Sequence, residues 1–244
     1  MTSFTIKIAD RAVTIRAIFE HTQDEFADYL CEEVATDIIA ITVEDIALER
    51  KMHEKERLLE GLQEHKVYDS QLELTAVQRK FADMLFEQNA LAFHGSVVAV
   101  DGQAYLFTAK SGTGKSTHTR FWRETFGDRA VMVNDDKPFL RLTQDGVLAY
   151  GSPWNGKHKL GNNICVPLKA ICILERGQEN KIQPISGQEA MVMLFQQSNR
   201  PMDPRKMPIY MDLIDRLSKQ TEFYRMQCTL DPDAARVAYE TMSK

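Results

Sequence analysis

The run Tyr105-Leu106-Phe107-Thr108-Ala109-Lys110-Ser111-Gly112-Thr113-Gly114-Lys115-Ser116-Thr117 starts apolar, breaks into a loop of small residues and ends on Gly-Lys-Ser. Such a run dictates three consecutive elements: a strand over 103–108, a tight loop, and a helix from Ser116 to Phe126 with polar and apolar residues mixed at helical spacing. It also dictates the chemistry between them. Glycines allow backbone N–H groups from about Lys110 to Lys115 to converge on a small concave space, which is what a polyanion requires. In that arrangement the Lys115 ammonium reaches the β and γ oxygens of a nucleoside triphosphate and the Ser116 hydroxyl holds Mg²⁺. The expected phosphate-binding set is Ser111, Gly112, Thr113, Gly114, Lys115, Ser116 and Thr117. One position departs from the G-x-x-x-x-G-K-[ST] pattern: Ala109 stands where the first glycine is usual, and its methyl group disfavours φ > 0.

Composition narrows the rest. A chain of 244 residues supports one sizeable core, or one core with a smaller lobe. With 43% hydrophobic and 27% charged residues it reads as globular. A formal net charge of −5 and scattered basic residues argue against nucleic acid as a partner. No apolar run approaches the roughly 20 residues that span a bilayer, and Met1-Thr2-Ser3-Phe4 lacks the basic start and apolar stretch of a signal peptide. The expectation is a cytoplasmic protein with no membrane partner. Cys31, Cys165, Cys172 and Cys228 show no metal-binding spacing, nor do the six histidines, so the cysteines are expected to be reduced and packed as small apolar residues.

Along the chain, residues 4–8 and 12–18 read as a hairpin turning at Asp10-Arg11. Thr22-Gln23-Asp24-Glu25 reads as a capping box opening a helix, and 37–41 as a buried strand. Residues 44–64 form a highly charged, solvated helix, followed by an amphipathic helix over 72–88 with Leu74, Val77, Phe81, Leu85 and Phe86 on one side. From Leu91 the texture changes to short strands. Residues 91–100 read as one strand, Asp101-Gly102 as a hairpin turn, and the return strand enters the phosphate loop directly. The site thus hangs from an antiparallel hairpin, whereas a doubly wound sheet would reach it through a helical crossover. Further strands are expected at 131–133 and 170–174, a hairpin around 144–146, and a strand near 223–228. Helices are expected after the capping box Ser186-Gly187-Gln188-Glu189 and after Asp203-Pro204 and Asp231-Pro232. The expected division is an N-terminal α+β lobe over 1–90 and a catalytic domain over 91–244.

Asn134-Asp135-Asp136 follows the apolar strand 131–133, where a phosphate-loop protein places the carboxylate that completes a Mg²⁺ site. Two adjacent carboxylates can divide labour, one staying ionised for the metal while the other accepts a proton from an attacking hydroxyl. Phosphoryl transfer needs little more than that and good positioning.

In order and spacing, His94-Gly95, the hairpin, the Ser111–Ser116 loop and Asp135-Asp136 resemble the catalytic half of bacterial HPr kinase/phosphorylase. The Ser-Gly-Thr-Gly-Lys string is also similar to the loop of ATP-dependent phosphoenolpyruvate carboxykinase. The resemblance covers roughly residues 91–200. It implies an α/β (mixed α+β) fold, with a phosphate-loop core carrying a mixed, largely antiparallel sheet, and an ATP- and Mg²⁺-dependent phosphotransferase with a serine-type hydroxyl acceptor. It further implies Lys115 and Ser116 at the phosphate and metal, Asp135 as general base, Asp136 as metal ligand, and His94 close to the transferred phosphate. A homo-oligomer is implied by the same resemblance alone. Read without it, a lone His at a strand start such as His94 is more often a structural residue than a phosphate contact.

The Arg-Gly-Leu-Gly-Ile-Ile-Asp type signature that follows the acidic pair in HPr kinases is absent, and Gly151-Ser152-Pro153-Trp154-Asn155-Gly156-Lys157 occupies that part of the chain. The acceptor is accordingly read as a peptide, a protein or a small metabolite rather than HPr. Trp154, Asn155, Lys157 and Asn162 are the acceptor-binding candidates, with Trp154 alternatively a core plug. Two other functions fit the same residues: an ATP-binding sensor without catalysis, and a carboxykinase-like lyase.

Overall fold

The computed structural model describes residues 1–59, 61, 66–110 and 112–244; Ser111 and the end of the helix expected over 44–64 lie outside the described residues. The chain divides into two compact units, Met1–Met84 and Leu85–Lys244.

In the first unit, β1 (Thr2–Ile8) and β2 (Arg11–Ala17) pair antiparallel with Thr2 opposite Ala17, and β3 (Asp37–Ala40) joins β2 in parallel. Phe4, Ile6 and Ile8 on one strand and Val13, Ile15 and Ala17 on the next are buried, the alternation of a sheet covered on one face. The turn is Ala9-Asp10, both left-handed at φ 50° and 62°, one residue ahead of the Asp10-Arg11 expected. Two positive φ values give the type I′ geometry whose twist matches the strands.

The capping box expected at Thr22 does not form. A 3₁₀ segment begins earlier, at Glu20, and the buried Thr22 hydroxyl donates to Glu73. Glu73 also accepts from the backbone N–H of Ile18 (2.6 Å) and Phe19 (3.3 Å). A buried carboxylate from a distant helix thus satisfies donors that a local cap would otherwise take. That helix is α2 (Asp69–Leu85), which follows α1 (Val43–Leu59). On α1 the charged face is not wholly solvated, since Glu49 is buried and accepts from Nε and Nη2 of Arg79. On α2 the buried stripe contains Leu72, Ala76, Val77, Phe81 and Leu85, with Leu74 only half-buried.

The second unit is mixed α+β around a curled, mixed nine-stranded sheet. Its strands are β4 (Ala90–Ala92), β5 (Ser96–Val100), β6 (Gln103–Thr108), β7 (Ala130–Asn134), β8 (Phe139–Leu142), β9 (Val147–Tyr150), β10 (Cys165–Arg176), β11 (Lys181–Ile185) and β12 (Glu222–Cys228). The long β10 is the spine. Its first residues pair antiparallel with β9; from Leu168 it runs parallel to β6, with a register shift before Ala170, and from Ala170 it also runs parallel to β12. The remaining pairings are antiparallel: β6 with β5, β5 with β7, β12 with β11, and β9 with β8 and β8 with β4.

Helices cover both faces. Alternate residues of β6 go to opposite sides. Tyr105 and Phe107 meet Trp122 of α3 (Lys115–Phe126) and the alanines of α6 (Asp233–Met242). Ala104 and Leu106 share a core with Leu194 of α4 (Gly187–Gln197) and Leu213 and Leu217 of α5 (Met207–Gln220). Two covered faces explain why the central strands read as continuous apolar runs.

The single strand expected over 91–100 is two strands in different branches of the sheet. β4 pairs with β8, then the chain crosses over, with His94 N–H donating to Gln197 O (2.6 Å) and Gly95 N–H to Asp136 O (3.0 Å), before β5 joins β6 and β7. Both halves are buried, so hydropathy carries no trace of the break. Gly95 marks it: a Cβ there would lie 2.9 Å from Leu106 Cδ2. The Asp101-Gly102 turn forms as expected, at φ 52° and 78°. So does the Ser186/Glu189 capping box, and Asp203 and Asp231 accept from the backbone N–H of Arg205 and Asp233, respectively (both 2.9 Å). Of the cysteines, Cys172 is buried as expected, whereas Cys165 is exposed at the start of β10. No helix among the described residues is long and apolar enough to cross a membrane.

Candidate active site

Strand direction assembles the site. β6, β10 and β12 run parallel, and β7, antiparallel to β5, points the same way as β6. Their C-terminal ends therefore bring the loop after β6, the segments Arg176-Gly177 and Cys228–Leu230, and Asn134-Asp135-Asp136 to one end of the sheet.

The loop after β6 turns through Gly112 and Gly114, at φ 74° and 115°, with open space where either Cβ would sit. Thr113 N–H closes a turn on Lys110 O (3.2 Å), His118 N–H makes the first bond of α3 to Gly114 O (2.9 Å), and Arg176 Nη2 holds Gly112 O (2.7 Å). The backbone N–H groups of the first turn of α3 have no intrahelical partner, and the helix dipole adds positive potential at the same point. Ala109, where a glycine is usual, is fully buried in the α3-side core and is not among the residues with positive φ. Its methyl group packs as core, and the backbone there does not require glycine.

Asn134, fully buried, shapes the acidic pair. Its Oδ1 accepts from the N–H of Asp136 (2.8 Å) and Lys137 (2.6 Å), turning the chain sharply after β7. Its Nδ2 lies within reach of Ser152 O (3.0 Å), Ser152 Oγ (3.1 Å) and Asn155 Oδ1 (3.1 Å). Ser152 Oγ in turn donates to Lys137 O (2.6 Å). Asp135 is buried and its Oδ1 accepts from Gly156 N–H (2.7 Å), so the acidic pair and the loop 151–163 are tied together. Close approaches hold that loop. A Cβ on Gly151 would lie 1.8 Å from Asn162 O, and one on Gly161 2.0 Å from Asn155 Oδ1.

Charges around the pair are coupled. Asp136 Oδ1 lies 3.3 Å from His94 Nε2. Burial, with the ammonium groups of Lys137 and Lys115 adding to it, pushes His94 down to about 3, so the imidazole is neutral and its contact with Asp136 is dipolar rather than an ion pair. Burial also lowers Lys115, against the pull of Asp136, and Lys137 lowers it further. Asp136 is raised, chiefly by burial with Asp135 adding to it, while Lys137 and Lys115 oppose. Lys115, His94, Asp136 and Lys137 thus lie within one electrostatic neighbourhood at the mouth of the loop.

The acceptor-binding candidates divide. Lys157 is exposed and lines a cavity of about 580 Å³ together with Gly112, Gly114, Lys115, Ser116 and Thr117. Asn155 and Asn162 are engaged in scaffolding: Asn155 Nδ2 donates to Ser152 O (3.1 Å), and Asn162 Nδ2 donates to Met132 O (2.7 Å). Trp154 is half-buried, edge-on to Phe139 at 5.9 Å between ring centroids. Residues missed by sequence reasoning are Lys137, Asn134 as an organiser, and Arg120, Arg123 and His158 on the cavity wall. The recurrence of Ser116, Arg120 and Arg123 on one side of a helix was the available signal for the two arginines. Among the described residues, no group of three or more His, Cys, Asp or Glu side chains is placed to hold a metal ion.

The family described as SynChlorMet cassette protein ScmC matches residues 65–231, about two thirds of the chain. The chain belongs to the ScmC family. Among curated proteins none matches it. Among solved structures it is similar to the Hpr(Ser) kinase/phosphatase from Coxiella burnetii, with 12% identity and a TM-score of 0.30 over 51% of this chain and 94% of that one. A similarity that weak decides neither fold nor activity for this ScmC-family chain.

Proposed function

We propose that the second unit is an ATP- and Mg²⁺-dependent kinase that transfers the γ-phosphoryl group to a hydroxyl on a peptide, a protein or a small metabolite. The observation that carries this reading is the meeting of Lys115, at the end of a glycine loop, with His94 and Asp136 beside the buried Asp135.

The residues present fit the nucleotide. The loop 109–116 has two left-handed glycines with nothing above them, a lysine at its end and a cavity beside it. Mg²⁺ retains several waters and takes only one or two carboxylates together with phosphate oxygens, so Ser116 and one Asp suffice as protein ligands. When bound, Mg-ATP supplies the γ-phosphoryl group, and ADP leaves as the acceptor oxygen bonds to phosphorus. Lys115 neutralises phosphate charge, and neutral His94 donates a hydrogen bond without competing for the metal. One carboxylate takes the acceptor's hydroxyl proton. Asp135 is assigned this base role and Asp136 the metal.

Lys115→Ala should abolish ATP binding by calorimetry and phosphate transfer from γ-labelled ATP while the folded state persists. Asp135→Ala should keep nucleotide affinity and lose transfer, whereas Asp136→Ala should raise the Mg²⁺ requirement. Full turnover in Lys115→Ala sinks the proposal. ATP binding with phosphate neither released nor transferred to any acceptor assigns the unit as a sensor.

A further inference from the structure

Two cavities flank the loop 109–116, and they differ in character. One, of about 650 Å³, is walled by Phe121, His118, Cys228 and Leu230, and its one cationic side chain, Arg176, already donates to Gly112 O. The other, of about 580 Å³, has Lys115, Arg120, Arg123, Lys157 and His158 on its wall and, among the described residues, no acidic one. Arg120 has a counter-charge in Glu124 at 3.5 Å. Arg123 is half-buried, its Nε enclosed and without a hydrogen-bond partner among the described residues. Lys157 and His158 follow Gly156, whose N–H is held by Asp135, so this basic wall is joined directly to the acidic pair.

We infer that the second cavity receives the phosphoryl acceptor, and that this acceptor carries an anionic group, carboxylate or phosphate, held by Arg123 and Lys157 next to the loop that Asp135 holds through Gly156. This deepens the kinase reading and rests on it for the role of the ligand, but the anion preference of the cavity is measurable without transfer. Two sources could supply the group: a free hydroxy acid, or an acidic residue next to a serine in a peptide.

The test uses the full chain with Mg²⁺ and a non-hydrolysable ATP analogue. Calorimetry compares two matched pairs, glycerate against its amide, and a serine peptide flanked by glutamates against the same peptide flanked by glutamines. The anionic member of at least one pair should bind about tenfold tighter, and the pair that responds identifies the source. Arg123→Gln with Lys157→Gln should close that gap and leave the analogue's affinity unchanged. Lys157→Gln alone, at an exposed site that tolerates it, should narrow the gap should the double variant not fold. Equal binding within both pairs, no binding of any anionic probe at millimolar concentration, an advantage that survives the substitutions, or displacement of the anionic probe by the analogue each overturns the inference. With γ-labelled ATP in place of the analogue, preferential anion binding without transfer to the bound probe would instead refute the kinase and leave the anion site standing.

Discussion

Replacing Asn134 by Ala tests whether one buried amide organises the site. Its Oδ1 satisfies two backbone N–H groups, of Asp136 and Lys137, and its Nδ2 serves three oxygens of Ser152 and Asn155. Two N–H protons cannot fully serve three acceptors, so the side chain counts as four net hydrogen bonds at about 1 kcal/mol each. Orphaned buried N–H groups raise the cost, and water entering the vacated space lowers it, which leaves about 3–5 kcal/mol. Both tryptophans of the chain, Trp122 and Trp154, lie in the second unit, so tryptophan fluorescence during denaturant unfolding reads that unit alone. Asn134→Asp keeps the acceptor for the two N–H groups but turns a carboxylate onto three oxygens, and should cost at least as much. A loss below about 1 kcal/mol in Asn134→Ala would refute the reasoning, because it would mean that the turn carrying Asp135 and Asp136 holds without this residue.

Glu73→Ala strands Thr22 Oγ1 and the N–H groups of Ile18 and Phe19, and should destabilise the first unit by about 2–5 kcal/mol by far-ultraviolet circular dichroism. His118 is held down to about 3 by burial alone, and its Nε2 accepts from Trp122 Nε1 at 3.1 Å, which requires the unprotonated ring. Its folded value lies below the unfolded value of 6.5, so the unfolded chain binds the extra proton. The contribution is present above pH 6.5 and is lost as pH falls from there towards 3, by up to about 1.4 kcal/mol per pH unit. Stability measured against pH for His118→Gln should show that slope reduced; an unchanged slope removes His118 as its source.

Much of this molecule was legible from local sequence. The loop 109–116 announced strand, turn and helix because glycine and lysine chemistry acts within a few residues, and the Asp101-Gly102 turn and the Ser186 capping box formed where their residues stand. The break at His94-Gly95, the capture of Thr22 by Glu73 and the exposure of Cys165 were not legible. Each depends on a partner far along the chain or on what covers a strand, and a sequence pattern records only whether a residue is apolar.

The sequence by itself determined the glycine loop, its hairpin attachment and the position of the acidic pair after a strand, since these follow from residue types within reach of one another. Only the tertiary structure decided that Lys115, His94 and Asp136 share one neighbourhood, that Asn134 and Gly156 hold the acidic pair, and that basic side chains from α3 and the loop 151–163 line one cavity. The physical reason is strand direction. Parallel β6, β10 and β12, with β7 pointing the same way, deliver segments as distant as 112 and 230 to one end of the sheet, and only the pairing of the strands specifies that end. The same pairing accounts for Ala109, whose methyl group is one more buried contact in the core beneath the loop.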